Sequence, residues 1–306
     1  MNYVQLYQAI QDYSENTESL FVSNIPLFVQ EAEDRIYNSV QIPSLRKNVT
    51  GTLTASNKYL SCPDDYLSTY SMAVIDTDTS YKYLLNKDVN FIREAYPTPT
   101  STGLPKYYAL FGSQYSNANE LSFIMGPTPD ANYNVELHYF YYPVSIVQGA
   151  ISGYNTPTGG ASYTNGVYPN VPLTGGQGSG ATATITVAGN TVTTVTINNG
   201  GQFYAVNNSL TAASSYIGGT GAGFSVTVSA VNNTAGTSWL GDNYDPVLFY
   251  GAMREAMLFM KGEQDLVKYY EEKYAEALAQ LNRLGSGLER GDAYRDGQYR
   301  IGQVKP

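Results

Sequence analysis

Cysteine and histidine each occur once in this chain of 306 residues, as Cys62 and His138. A single thiol excludes an intramolecular disulfide framework and a Cys-based metal site. A single imidazole excludes any site built on two histidines. No run of about 18 apolar residues occurs, so no transmembrane helix and no membrane partner are expected. The N-terminal "MNYVQLYQAIQDYSE" lacks a basic n-region and an uninterrupted apolar core, so no signal peptide is expected and folding in a cytoplasm is. Charge is also sparse, at 14% of residues, and its net value of −9 argues against a nucleic-acid-binding surface, which carries a basic excess.

What the chain has instead is tyrosine (29, against 10 phenylalanines) and glycine (29). That composition suits sheets and large polar-aromatic interfaces better than a solvated helical enzyme. The length leaves room for about two domains.

The Gly-rich stretch "LTGGQGSGATATITV" (173–187) raises the question of a phosphate cradle, which needs a helix after the glycines. Here Thr182, Thr184 and Thr186 alternate with Ala183, Ile185 and Val187, a period of two in β-branched residues that predicts a strand. No Lys-Ser/Thr pair closes the loop. The stretch also has a twin: 175–190 aligns with 218–233 at an offset of 43, placing Gly175, Gly176, Gly178 and Gly180 on Gly218, Gly219, Gly221 and Gly223, and Asn190 on Asn233. Tandem copies point to structural β units with Gly and Asn in the turns.

Helical patterns lie at both ends. Tyr3, Leu6, Tyr7, Ile10 and Tyr13 form one stripe. A second helix, starting near Ser23 or Asn24 with Pro26 in its first turn, carries Ile25, Phe28, Val29, Ala32, Ile36 and Val40. After the repeats, Asp245 caps and Pro246 opens a helix that should be buried nearly all round. The next carries Leu266, Tyr270, Tyr274, Ala277, Leu278, Leu281 and Leu284, with Gly285 as its C-cap. Residues 46–145 read as six to eight strands, including "NYNVELHYFYYP", where Val135, Leu137, Tyr139 and Tyr141 share one face.

Four helices of this kind satisfy one another by packing together. The predicted class is therefore α+β. A helical bundle from 1–45 and 237–285 carries a β domain (46–147) and a Gly-rich β-repeat insertion (148–236), with an extended tail from 286 to 306.

No catalytic constellation assembles. His138 on an alternating strand reads as a packed or surface residue, and Cys62 in "YLSCPDDY" has no basic sequence neighbour to lower its pKa. Asp64/Asp65 and Asp76/Asp78 are acidic turn pairs, with a glycosidase carboxylate pair as the sharper alternative. Met253, Met257 and Met260, with Ala256, mark a bundle or subunit interface rather than a cofactor box. No G-x-S-x-G elbow occurs. No enzyme activity, cofactor or metal is expected.

Outside the repeats, the sequence resembles a tailed-phage head-to-tail adaptor (connector) protein. The stretches that carry the likeness are "FVQEAEDRIYNSVQIPSLRKNVTGTL", "KYLSCPDDYLSTYSMAVID", "LLNKDVNFIREAYPTPTSTGLPKYYALF", "FIMGPTPDANYNVELHYFYYPVSIV" and "TSWLGDNYDPVLFYGAMREAMLFMKGE". The resemblance implies a structural virion protein of the neck, assembled in the host cytoplasm as a dodecameric ring. It would join the portal to a tail or nozzle protein and continue the DNA channel without sequence-specific binding. Residues 148–236 depart from that pattern and resemble Gly-rich β repeats of phage structural proteins. A fibre-like or carbohydrate-binding virion protein using 148–236 is the alternative, and a polysaccharide-degrading enzyme a third reading. In the tail, Arg290, Arg295, Arg300 and Lys305 recur every five residues, with Tyr294 and Tyr299 beside two of them. They are candidate contacts to the portal or a neighbouring subunit.

Overall fold

The computed structural model describes residues 1–76, 78–98, 100–112 and 121–296, with the side chains of 286–296 excepted. Among them are six helices: α1 (Tyr3–Ser14), α2 (Ser19–Ser39), α3 (Val89–Ala95), α4 (Trp239–Asn243), α5 (Asp245–Phe259) and α6 (Gln264–Asp296). The fold is mixed α+β. By its contacts the chain divides into two compact units, one of Met1–Val40 with Val144–Leu284, the other of Gln41–Pro143 with Gly285–Pro306.

In the first unit, α5 packs against α1, α2 and α4. The predicted stripes of α1 and α2 supply one side of the contact, through Leu6 and Ile10 and through Ile25, Val29 and Ile36; Val247, Leu248 and Ala252 of α5 supply the other, and all are buried. Gly251 permits the closest crossing, since a Cβ there would lie 3.0 Å from Ala32 Cβ and 3.2 Å from the Tyr274 ring. On α6, Tyr270, Tyr274, Ala277 and Leu281 are buried, whereas Leu266 and Leu284 are exposed.

Three helix ends differ from the sequence reading. α2 begins at Ser19, not near Ser23, because "SLFVS" already extends the amphipathic stripe, and Pro26 therefore lies well inside the helix. Asp245 is the first residue of α5 rather than its cap, which is Tyr244. Gly285 does not end α6, and the segment after it is not extended from 286: the helix continues to Asp296. A glycine inside a helix costs only about 1 kcal/mol, and Leu288, Glu289, Arg290 and Ala293 are good helix formers.

The same unit holds seven strands between residues 150 and 232: β9 (Ala150–Tyr154), β10 (Thr158–Ala161), β11 (Gly166–Pro172), β12 (Thr182–Ala188), β13 (Thr191–Asn199), β14 (Ser209–Leu210) and β15 (Ala222–Asn232), which follow eight in the second unit. One sheet has the order β11-β12-β13. The other has the order β10-β15-β14, with β9 also on β15. Ala183, Ile185 and Val187 of β12 share a core with Phe224, Val226 and Val228 of β15. The glycines before β12 thus lead into a strand, not a helix. Gly189 and Asn190, both with φ near +60°, turn β12 into β13, as a two-residue hairpin requires. The aligned glycines Gly178 and Gly221 each lie against a buried tyrosine ring, that of Tyr204 and that of Tyr163 respectively. Neither position has room for a Cβ.

Pro26 explains how this β segment is seated. Its ring nitrogen cannot donate to Val22 O, which a helix interior would otherwise satisfy. Gln202 supplies the missing donor: its Nε2 lies 3.3 Å from Val22 O, while its Oε1 accepts from the Tyr3 hydroxyl. The neighbouring Phe203 ring packs at 5.4 Å from both Tyr3 and Tyr7. The ends of the segment meet at Asn233, whose amide donates to Ser145 O and Thr237 O, both at 2.8 Å.

In the second unit the strands are β1 (Arg46–Leu53), β2 (Tyr59–Ser61), β3 (Tyr66–Ile75), β4 (Tyr81–Tyr83), β5 (Leu85–Asn86), β6 (Tyr107–Gly112), β7 (Ser122–Gly126) and β8 (Tyr133–Tyr141). They form two sheets, β1-β8-β3-β4 and β2-β7-β6-β5. Between them lies a core of Leu53, Met72, Val74, Phe123, Met125, Val135 and Leu137. Helix α3 was missed in the sequence. Seven residues are too few to show periodicity, but the Asp88 side chain caps it and Ile92 packs on Ala109 and Ile124.

Candidate assembly surfaces

Strand alternation gives β8 two faces. Tyr133, Val135, Leu137 and Tyr139 point into the core, while Glu136, His138 and Phe140 point outward among residues of β1, β3 and β4. This outer face is aromatic and partly uncovered: Tyr70, Tyr81 and Tyr83 are 53%, 52% and 70% exposed, whereas Phe140 is buried. The Arg46 guanidinium lies 3.8 Å over the Tyr70 ring and 4.8 Å over Phe140, and His138 meets Tyr70 edge-on at 5.3 Å. Asn48 donates to Glu136, whose carboxylate also accepts from the Tyr81 hydroxyl and raises its pKa. His138 is thus part of a surface, as its strand pattern suggested. Tyr70, Tyr81, Tyr83 and Arg46 were missed; the spacing of Tyr81 and Tyr83 along β4 puts them on one face, but the register shifts of β3 place Tyr66 on the core and Tyr70 outside, which no local pattern shows.

The helices carry a second exposed apolar set. Leu20, Leu27, Leu258 and Phe259 are each at least 39% exposed, with the Phe259 ring 5.2 Å from Phe28. Of the sequence candidates on α5, Met253, Ala256 and Met257 are buried, and Met260 is half-buried at the C-cap beside Asn16. Arg290, Tyr294 and Arg295 lie on α6; Tyr299, Arg300 and Lys305 fall outside the described residues.

Two buried carboxylates escaped the sequence reading. Glu255 is held by Arg35 and Arg254, both at 2.8 Å, and Arg254 reaches on to Glu271 at 3.5 Å. Glu33 is buried with no cation beside it among the described residues. Its Oε1 accepts from Ile146 N–H at 2.9 Å, while Oε2 has no hydrogen-bond partner among the described residues. Burial raises its pKa to about 7, against the lowering effect of the Ser145 hydroxyl and the Ile146 amide.

One member of each acidic turn pair is engaged within its own region. Asp65 binds Lys47 at 2.6 Å and the Tyr139 hydroxyl at 2.7 Å, and Asp78 accepts from Ser80. Burial pushes the Cys62 thiol up to about 12, so it stays protonated. Among the described residues no cluster of three or more His, Cys, Asp or Glu is placed to hold a metal ion, and no helix is long and apolar enough to cross a membrane.

Exposed aromatic and apolar faces on two well-packed units are the equipment of a protein that works by contact with other proteins. The chain belongs to the SU10 adaptor protein family, whose model matches residues 1–168. It is a phage structural adaptor and a virion component that works together with other head or tail proteins. No curated protein matches the chain.

Proposed function

We propose that this adaptor forms a dodecameric ring in the phage neck, joining the portal to a tail or nozzle protein and continuing the DNA channel. The observation that carries the reading is the family match together with the partly uncovered aromatic face of β1-β8-β3-β4. Tyrosine and arginine on such a face are the residue types that anchor interfaces. α1, α2, α5 and α6 act as a four-helix bundle, with residues 46–147 and 148–236 as its two β additions. Met253, Ala256 and Met257 serve the bundle core and Met260 its rim. Arg290, Tyr294, Arg295, Tyr299, Arg300 and Lys305 contact the portal or a neighbouring subunit through charge-assisted bonds. The net charge of −9 per chain lets DNA pass without sticking.

Negative-stain imaging of the purified chain, alone and on portal-containing heads, tests the proposal. Rings that dock on the heads are expected, and a chain ending at Gly285 should dock more weakly. A monomer with no affinity for the heads would overturn the ring reading. Equal docking by the truncated chain would remove the tail from it.

A further inference from the structure

From Tyr139 to Gly241 the chain carries no Asp, Glu, Lys, Arg or His. Within that neutral stretch lies a pocket of about 300 Å³ lined by Gln148, Gln177, Phe203, Val206, Val231 and Thr234 among others. The volume is at the lower end of small-ligand sites, about 300–1,000 Å³. None of its lining residues is charged.

The pocket is held in shape by its backbone. Phe203 N–H donates to Gln148 O at 2.7 Å, and Tyr204 N–H to Gly149 O at 3.0 Å. The Asn208 side-chain oxygen Oδ1 ties two loops together, accepting from Gln177 N–H at 3.2 Å and Ala205 N–H at 3.1 Å. Gln148 is fixed by donation to Thr234 O at 2.9 Å. The Gln177 side chain, by contrast, is exposed and has no hydrogen-bond partner among the described residues, and Val206 beside it is 48% exposed. A free amide that both donates and accepts thus stands next to an apolar wall, on a backbone that the fold already holds in place.

We propose that this pocket binds a neutral saccharide. A sugar ring offers C–H faces to Val206, Val231 and Phe203 and hydroxyls to the amides of Gln177 and Gln148. A phosphorylated or carboxylated ligand would lose its hydration with no cation to replace it. A wholly apolar ligand would leave the amides unpaired. The inference concerns residues 148–234 alone and stands apart from the ring reading.

Titration calorimetry of the full chain tests it with maltohexaose, cellohexaose, mannohexaose and chitotetraose, and with sialyllactose as the anionic control. At least one neutral oligosaccharide should bind, with affinity unchanged between about 50 and 500 mM NaCl because no charge is involved. Gln177→Ala should weaken that binding about tenfold, and Val206→Asp at least as much, with the melting temperature unchanged. Three results would overturn the proposal: no binding by any neutral probe, preference for sialyllactose, or affinity retained in both variants.

Discussion

The two β-rich regions solve the same packing problem with opposite means. Residues 41–143 hold four glycines and sixteen Asp, Glu, Lys or Arg; residues 144–236 hold seventeen glycines and none of those charges. In the first, strands of up to ten residues pair over a shared core, and cations lie over aromatic rings outside. In the second, strands are joined by turns that need left-handed backbone, and glycines let rings approach the chain. Electrostatics tunes one region. Shape alone sets the other, which is why the neutral region should tolerate salt and pH but not added atoms.

The sharpest way to break this comparison is a single methyl group. At Gly178 a Cβ would fall 2.5 Å from the Tyr204 ring, and at Gly221 it would overlap the Tyr163 ring. Gly51, in the charged region, has its nearest neighbour at 4.0 Å. Gly178→Ala or Gly221→Ala should cost about 3 kcal/mol or more by overpacking a closed site, and Gly51→Ala less than about 0.5 kcal/mol. Thermal or urea melts measure both. Equal costs at Gly51 and Gly221 would end the distinction.

The next test concerns Glu33, the carboxylate that touches the stem of the neutral region at Ile146 N–H. Its folded pKa, about 7, exceeds its unfolded value, so the folded state holds the proton more tightly. Stability is therefore greatest below the unfolded pKa and falls as pH rises toward 7, by up to about 3 kcal/mol. Glu33→Gln keeps the acceptor and removes the charge. It should flatten the profile between pH 5 and 8, about the window of that titration, and stabilise the protein at the alkaline end. An unchanged slope in urea melts would show that Glu33 does not titrate there.

These two features mark the limit of what the sequence disclosed. The stripes on α1, α2 and α6 and the alternation in β8 and β12 were legible because amphipathic periodicity is a local pattern that burial preserves, whereas α5, which reads as buried nearly all round, leaves Leu258 and Phe259 exposed. The β reading of 173–187 was legible for the same reason. Pro26 was misplaced because the donor that makes it tolerable, Gln202, lies far away in sequence. α3 and the continuation of α6 past Gly285 were hidden by shortness and by a weak breaker. The exposed tyrosines could be counted, but not located, since exposure depends on which face a neighbouring sheet covers.

A smaller effect is expected where the neutral region is seated on α2. Gln202→Ala removes the donor to Val22 O and the acceptor for the Tyr3 hydroxyl together. Gln202 is fully buried, so unpaired groups remain, at a cost of about 1–3 kcal/mol. Pro26→Ala, which restores the helix donor, should recover part of that loss in the double variant. Additive effects in a double-mutant cycle would show that the two residues are not coupled.

The smallest effect belongs to Asp65 in the charged region, and its sign opposes that of Glu33. Burial would raise the Asp65 pKa, but hydrogen bonds from Lys47 and the Tyr139 hydroxyl outweigh it and hold the carboxyl below its usual range. A depressed pKa adds stability that is present above the unfolded value and is lost as pH falls through the folded one. Lys47 is 47% exposed and Asp65 32%, so solvent screens the pair and its worth is at most about 1 kcal/mol. Lys47→Met should lower stability at pH 7 by no more than that, and the difference should shrink in about 0.5 M salt. The same variant should leave the response between pH 5 and 8 untouched, because that window belongs to Glu33. A Lys47→Met protein whose alkaline response changes would mean that the two carboxylates titrate as one system, and the contrast between the regions would fail at its electrostatic end.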